Sequence, residues 1–270
     1  MENGQRFEFG ENWSRFLASI NPARISAAES SLKNMLETDT LSGKTFLDIG
    51  SGSGLFSLAA RRLGAKVRSF DYDNSSVACG LELKKRYCPN DNEWIVEQGS
   101  VLDKQYMASL GQFDVVYSWG VLHHTGSMYE AIDNAAKLAK PGGKFFIAIY
   151  NDQGGASRRW HAIKKLYNHS GKALKFFIAT AILVFFEGRS ALIRMAKLQN
   201  PLPFKEWQQR RDNRGMSLWT DIVDWAGGYP FEVAKPEDIF DFCRKRGFVL
   251  LRLTTACGGS GCNEYVFRKQ

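Results

Sequence analysis

The stretch KTFLDIGSGSGLF, residues 44–56, decides how the rest of the chain is read. Phe46, Leu47 and Ile49 make a short apolar strand, and Gly50, Gly52 and Gly54 follow at alternate positions before an apolar helical run at 55–63. A residue without a Cβ lets backbone approach a ligand closely, and a helix N-terminus behind such a loop presents N–H groups. A plain strand-to-helix turn also carries glycines. Three at alternate positions, with Asp48 beside them, favour a nucleotide cradle, and the residues downstream settle its occupant.

Beyond the loop, strands and helices alternate. Gly64 closes the first helix with a left-handed cap, and Lys66 to Phe70 is a second strand ending in Asp71. That acid is 17 residues beyond Gly54, where a doubly wound fold places a carboxylate for ribose hydroxyls. Asn74 is expected to cap a helix to about Arg86. Trp94 to Glu97 is a third strand running into Gly99, Ser100, Val101, Leu102 and Asp103, and Phe113 to Trp119 is a fourth. A helix from Met128 to Ala139 closes at Lys140 to Gly143, and Lys144 to Tyr150 is a fifth strand. The pattern breaks at Asn151 and resumes near Lys235, with a helix from Pro236, a strand over Phe248 to Thr254, a glycine turn and a strand over Asn263 to Arg268.

The fold class is therefore α/β: a Rossmann-like open sheet of seven strands, mostly parallel with a C-terminal antiparallel hairpin, helices on both faces, and a helical insert. The expected segments are 1–43 (helical, aromatic, a lid or packing on the sheet edge), 44–150 (core), 151–234 (insert) and 235–270 (completion of the sheet). Phe7, Phe9, Trp13 and Phe16 belong to the first; Ile25, Leu32, Met35 and Leu36 line one face of its second helix.

At 270 residues and 44% hydrophobic content, the chain can bury a full core. The N-terminus has no apolar signal-peptide core, which points to the cytosol. The five cysteines are odd in number and lack CxxC spacing, so neither a disulfide framework nor a zinc site is indicated. Net charge is +8, and it is local: residues 151–215 hold 13 Lys or Arg against 4 Asp or Glu, leaving 23 basic and 24 acidic residues elsewhere.

Counting GxGxxG from Gly50 puts Leu55 in the third position, which weakens a dehydrogenase reading. The glycine loop, Asp71, the 99–103 loop, the fourth strand running into Leu122, His123 and His124, the KPGG at 140–143 and the terminal hairpin together resemble a class I S-adenosylmethionine-dependent methyltransferase, most of all the ubiquinone and menaquinone methylase group. The resemblance covers about 44–150 and 235–270 and is specific for fold and cofactor. It implies that Asp48, Gly50, Ser51 and Gly52 meet the methionine part of the cofactor, that Asp71 takes the ribose hydroxyls, and that Tyr72 lies against the adenine. It further implies that Ser100 and Val101, with Asp103, read the adenine edge, and that Ser118 and Trp119 meet the amino group and face the acceptor.

Such chemistry needs an acceptor aligned with the methyl and a group to take its proton. His123 and His124 at the end of the fourth strand are candidate bases, or merely cap the strand; His161, Tyr150 and Asp152 are secondary candidates. Tyr150, His161, Trp219 and Tyr229 are candidate acceptor contacts, and the aromatic stretch 216–231, which also carries Asp221 and Asp224, is expected to line the acceptor site. No Pro-Pro dipeptide supports amino methylation of nucleic acid bases, and no CxxxCxxC set supports radical chemistry. In the insert, Trp160, Ile163, Tyr167 and Leu174 share a helical face ringed by Arg158, Arg159, Lys164, Lys165, Lys172 and Lys175. The eleven-residue apolar run 176–186 comes next, too short to span a bilayer that needs about 20 residues. Two readings fit 158–186: docking on anionic membrane, or a buried lid with solvated charges. The expected function is methyl transfer, more at oxygen than nitrogen or carbon, to a small amphiphilic or anionic acceptor such as a quinol, a glycolipid or sugar, or a specialised metabolite. An RNA methyltransferase, favoured by the basic insert, and a non-catalytic cofactor-binding subunit are the alternatives.

Overall fold

The computed structural model describes residue 17, residues 20–201 and residues 218–270. Phe7, Phe9, Trp13, Phe16, Arg210, Arg211, Arg214 and the side chains of Asp221 and Asp224 lie outside the described residues. Packing divides the described residues into two units, a larger one over residue 17, residues 20–157 and 230–270, and a smaller one over 158–201 and 218–229. The divisions at 157/158 and 229/230 fall a few residues inside the sequence boundaries of the insert.

The larger unit begins with α1 (Pro22–Leu36), whose Asn21 cap accepts from the Arg24 N–H. Its Ile25, Leu32 and Leu36 are enclosed in the cluster that also holds Phe46 of the sheet, so this helix packs as core. Next along the chain are β1 (Thr45–Ile49), α2 (Leu55–Arg62), β2 (Lys66–Asp71), α3 (Asn74–Tyr87), β3 (Trp94–Gln98), α4 (Lys104–Ser109) and β4 (Phe113–Trp119). A single 3-10 turn, Leu122–His124, precedes α5 (Met128–Lys137) and β5 (Ala139–Tyr150). After the smaller unit come α9 (Pro236–Arg244), β6 (Phe248–Thr254) and β7 (Cys262–Lys269).

The seven strands run in the order β3-β2-β1-β4-β5-β7-β6. Those from β3 to β5 are parallel, and β7 is antiparallel to both β5 and β6. Chain order reverses between β1 and β4, and ligands of such sheets bind at the carboxyl ends beside that switch. Two local expectations shift. Asp73, not Asn74, caps α3, its carboxylate accepting from the Ser75 N–H. β5 starts at Ala139, so Lys140 to Gly143 lie within the strand, where the pairing with β4 skips register between Phe113 and Val115.

In the smaller unit, α6 (Gly155–His169) begins three residues before the division, α7 (Lys172–Ala196) has 25 residues and α8 (Leu218–Gly227) has ten. They pack around Tyr167, Ala179, Ile182, Ile222 and Ala226, with Trp160, Ile163 and Trp225 against them. Lys164, expected among the solvated charges, is buried: its Nζ donates to the Trp225 carbonyl and lies 4.3 Å from the Trp225 ring centre. Asn168 donates to the carbonyls of Lys164 and Gly227 at 2.9 Å each, so α6 satisfies carbonyls at the end of α8 that the helix itself leaves open. Burial pushes the Lys164 ammonium down to about 7. Leu174, placed by spacing on the packed face, is exposed instead.

Candidate active site

The carboxyl ends of β1, β2, β4 and β5 are level, because Ile49 pairs with Phe70 and Ser118 with Ile147. The glycine loop leaves β1 with Gly50, Gly52 and Gly54 all at positive φ, a region that favours glycine. The N–H groups of Gly50 and Ser51 both donate to the Phe70 carbonyl, at 2.8 and 3.1 Å, and Gly54 donates to Ser51. A Cβ on Gly50 would collide with Val121 in the turn after β4. That close approach brings the loop against the turn that carries His123 and His124.

Behind the loop, Asp48 is 2% exposed and accepts from the Ser57 hydroxyl at 2.5 Å. The Ser57 N–H also bonds this carboxylate, so Asp48 closes the first turn of α2 from strand β1. Asp48, expected at the methionine part of the cofactor, is enclosed behind the loop and bonded to Ser57. Burial holds its carboxyl up at about 7, the Ser57 hydrogen bond opposes this, and the neighbouring Asp71 adds to it. Asp71 accepts from the N–H groups of Gly52 at 2.9 Å and Asp73 at 3.0 Å, and burial raises its carboxyl as well.

These residues fit the cofactor that the sequence implies. A buried carboxylate, Asp48, and a half-buried one, Asp71, interact at the glycine loop, and no Lys or Arg figures among the groups that move either. A ligand with net positive charge removes the cost of ionising both. Asp71 keeps further lone pairs for ribose hydroxyls beyond its two backbone bonds. The buried Ser51 hydroxyl oxygen has no hydrogen-bond partner among the described residues. The Tyr72 ring is 58% exposed at the end of β2, available as a flat apolar face.

Around the 99–103 loop, Ser100 accepts from the Leu102 N–H and the buried Val101 offers its carbonyl to Asn134 at 3.0 Å. Asp103 caps α4, one oxygen accepting from the N–H groups of Gln105 and Tyr106 at 3.0 Å each. Ser118, expected at the amino group, is fully enclosed and donates to the Ile49 carbonyl at 3.0 Å, bracing β4 on β1. Trp119 is half exposed and its indole N–H donates to Glu264 at 2.8 Å.

The two histidines separate by their hydrogen bonds. His123 is fully buried, and its Nδ1 accepts from the Tyr150 N–H at 3.4 Å, so a neutral ring carries its proton on Nε2. His124 is half-buried, with Nδ1 2.7 Å from the Pro230 carbonyl. A carbonyl only accepts, so Nδ1 holds the proton and Nε2 is the basic nitrogen. The ring centres of His123, His124 and Tyr150 lie 4.0 to 5.4 Å apart, tilted or edge-on to one another, and Phe231 lies 5.5 Å from Tyr150.

The segment 230–234 holds this group; Pro230 and Phe231 end the aromatic stretch that sequence reading set at the acceptor, whereas Glu232 and Ala234 were missed. Pro230 accepts from His124, the Glu232 N–H donates to the His123 carbonyl at 3.0 Å, and Ala234 pairs with Tyr150. The Glu232 carboxylate accepts from the Met128 N–H at 3.0 and 3.1 Å, capping α5 where Ser127 makes no side-chain bond. Asp152 spends one oxygen on the Gly154 N–H. Of the acceptor candidates, Tyr150 belongs to the larger unit. His161, Trp219 and Tyr229 belong to the smaller, where His161 lies 5.7 Å from Tyr229 and Trp219 lies 5.4 Å from Phe176.

A family model described as a methyltransferase domain matches residues 21–233, most of the chain. The ubiquinone biosynthesis O-methyltransferase of Coxiella burnetii (strain Dugway 5J108-111) is 31% identical over 132 residues, 49% of this chain and 51% of that protein. That of Caulobacter vibrioides is 30% identical over 143 residues, 49% of this chain and 53% of that protein. The chain thus spans about half the length of these curated relatives. Among solved structures, magnesium protoporphyrin IX methyltransferase from Synechocystis PCC 6803 with bound SAH is similar at a TM-score of 0.55 and 14% identity, over 97% of this chain and 96% of that one. N-methyltransferase NodS from Bradyrhizobium japonicum WM9, in complex with S-adenosyl-l-homocysteine, is similar at 0.51 and 15%, over 97% and 98%. These likenesses carry the fold, and the family match carries the class. The seven-stranded sheet, the glycine loop with its two acids and the family match agree, and the chain belongs to the methyltransferase-domain family, as a class I S-adenosylmethionine-dependent methyltransferase.

Proposed function

We propose that the chain transfers a methyl group to a hydroxyl of a small, amphiphilic or anionic acceptor, with His124 as the base. When bound, S-adenosylmethionine supplies a methyl group activated by its sulfonium. Asp71, Ser51 and the backbone at Gly50 and Gly52 hold the cofactor, Asp48 shapes the loop from behind, and Tyr72 covers the adenine. The 99–103 loop meets the adenine edge through backbone groups, and Trp119 and Tyr150 border the acceptor. His124 Nε2 takes the proton that the acceptor oxygen gives up, and Nδ1 keeps its own proton against Pro230 as the ring becomes cationic.

The observation that carries this reading is the close approach of Gly50 to Val121, two residues before His123, with His124 held in the tautomer whose Nε2 is basic. Oxygen is favoured over nitrogen because a neutral imidazole suits a hydroxyl proton, and the curated relatives named as O-methyltransferases point the same way. Peripheral contact with anionic membrane through 158–186 belongs to the same reading, since an amphiphilic acceptor partitions there. The test is a panel of quinols, sugar lipids and RNA, read by formation of S-adenosylhomocysteine. Turnover on a hydroxylated amphiphile that His124→Asn abolishes supports the reading; methyl incorporation into RNA alone, or turnover indifferent to His124→Asn, overturns it.

A further inference from the structure

The smaller unit keeps a large apolar face outside. Leu174, Phe177, Val184, Phe185, Leu192 and Met195 of α7 are 47% to 67% exposed. At about 100° per residue they share a sector roughly 100° wide, and Lys172, Lys175, Arg189 and Arg194 all fall outside it. The inner side of the same helix is used, with Ala179 and Ile182 buried against the cluster that holds Tyr167 and Ile222. The helix also corrects the sequence expectation of length. Glu187 and Arg189 end the apolar run but not the helix, which continues to Ala196, and its most apolar 18-residue window has a mean hydropathy of 1.8 and is 11% buried.

We infer that the outer face of α7 docks in the plane of an anionic lipid bilayer, its apolar sector at the acyl boundary, with Arg189 beside the sector and the other cations of the unit attracting the headgroups at longer range. Residues 158–201 hold nine Lys or Arg and one acid, Glu187, so charge selects the occupant. A second copy would bring two strongly basic units together. RNA would be met by cations, whereas the exposed sector carries none. At about 37 Å the helix is long enough to cross a hydrocarbon core of about 30 Å. A crossing would instead strip its inner side from Trp160 and Trp225, and an in-plane seat uses both faces. This deepens the membrane contact proposed above and does not depend on which acceptor is methylated.

The test is co-flotation of the full chain with vesicles of phosphatidylcholine, alone or mixed with phosphatidylglycerol, with S-adenosylhomocysteine binding measured in parallel to report a folded sheet unit. Binding to the anionic vesicles at low salt, weakened by high salt, is expected. The triple substitution Phe177→Glu, Phe185→Glu, Leu192→Glu should lower it about tenfold or more. Arg158→Gln, Arg159→Gln, Lys165→Gln should lower it about a hundredfold on anionic vesicles only, and both variants should bind S-adenosylhomocysteine as before. The inference is overturned by absence of vesicle binding, by binding indifferent to the apolar triple, by resistance to alkaline extraction as for a spanning helix, by a lipid-free dimer that the apolar triple breaks, or by RNA retention that it leaves unchanged.

Discussion

In the sheet unit Phe46, Phe145 and Phe267 are fully enclosed, while in the helical unit Phe177 and Phe185 point outward from a helix of similar apolar content. The sheet unit buries Asp48 behind the glycine loop and His123 in the turn after β4, and the helical unit buries Lys164. The units differ in their apolar side chains: the larger one encloses its large rings, and the smaller one leaves several of its own at the surface.

Substitutions in the sheet unit should move chemistry or cofactor affinity, and those on the outer face of α7 should move neither. The largest effect is expected at His124. His124→Asn should lower turnover by about 10² to 10⁴-fold while cofactor affinity is unchanged, whereas His123→Asn, at an enclosed position, should first appear as lost stability in thermal unfolding. Equal loss of turnover on α7 substitution with a water-soluble acceptor would break the comparison. Next is Gly50→Ala, which meets both a positive φ and the Val121 side chain. It should weaken cofactor binding by about tenfold or more in calorimetry.

Asp48 makes the sheet unit sensitive to pH. Its folded carboxyl sits at about 7, above its unfolded value, so the cofactor-free native state keeps a proton that the unfolded chain loses between about pH 4 and 7. Stability of the free protein should fall as pH rises through that window, and Asp48→Asn should flatten the fall. A cationic ligand lowers the same carboxyl, so cofactor affinity should rise from pH 5 to about 7, by at most about tenfold per unit, and then level off. The smallest effect is Glu232→Gln, which weakens the cap on α5 by about 1 kcal/mol and should lower Tm by about 2–4 °C.

What the chain reveals before folding is what is local. The loop from Ile49 to Leu55, the acid at Asp71 and the terminal hairpin are each a few residues of pattern, and all are found where spacing puts them. Asp73 and Asn74 are both good caps and adjacent, so spacing alone does not choose between them. The length of α7 is hidden because charges interrupt an apolar run without interrupting a helix whose polar side meets water. The clamp by Pro230 and Glu232 joins positions 104 or more residues apart with no periodicity to announce it. Ser57 has a faint signal, a small hydroxyl in the first turn of the helix after Asp48.

The central claim is that the glycine loop and its two acids hold S-adenosylmethionine. Calorimetric titration of the wild type, Gly50→Ala, Asp71→Asn and His124→Asn with S-adenosylmethionine tests it most directly. One site per chain is expected, weakened by the first two substitutions and unchanged by the third. No binding to the wild type, or binding that Gly50→Ala and Asp71→Asn leave intact, contradicts it.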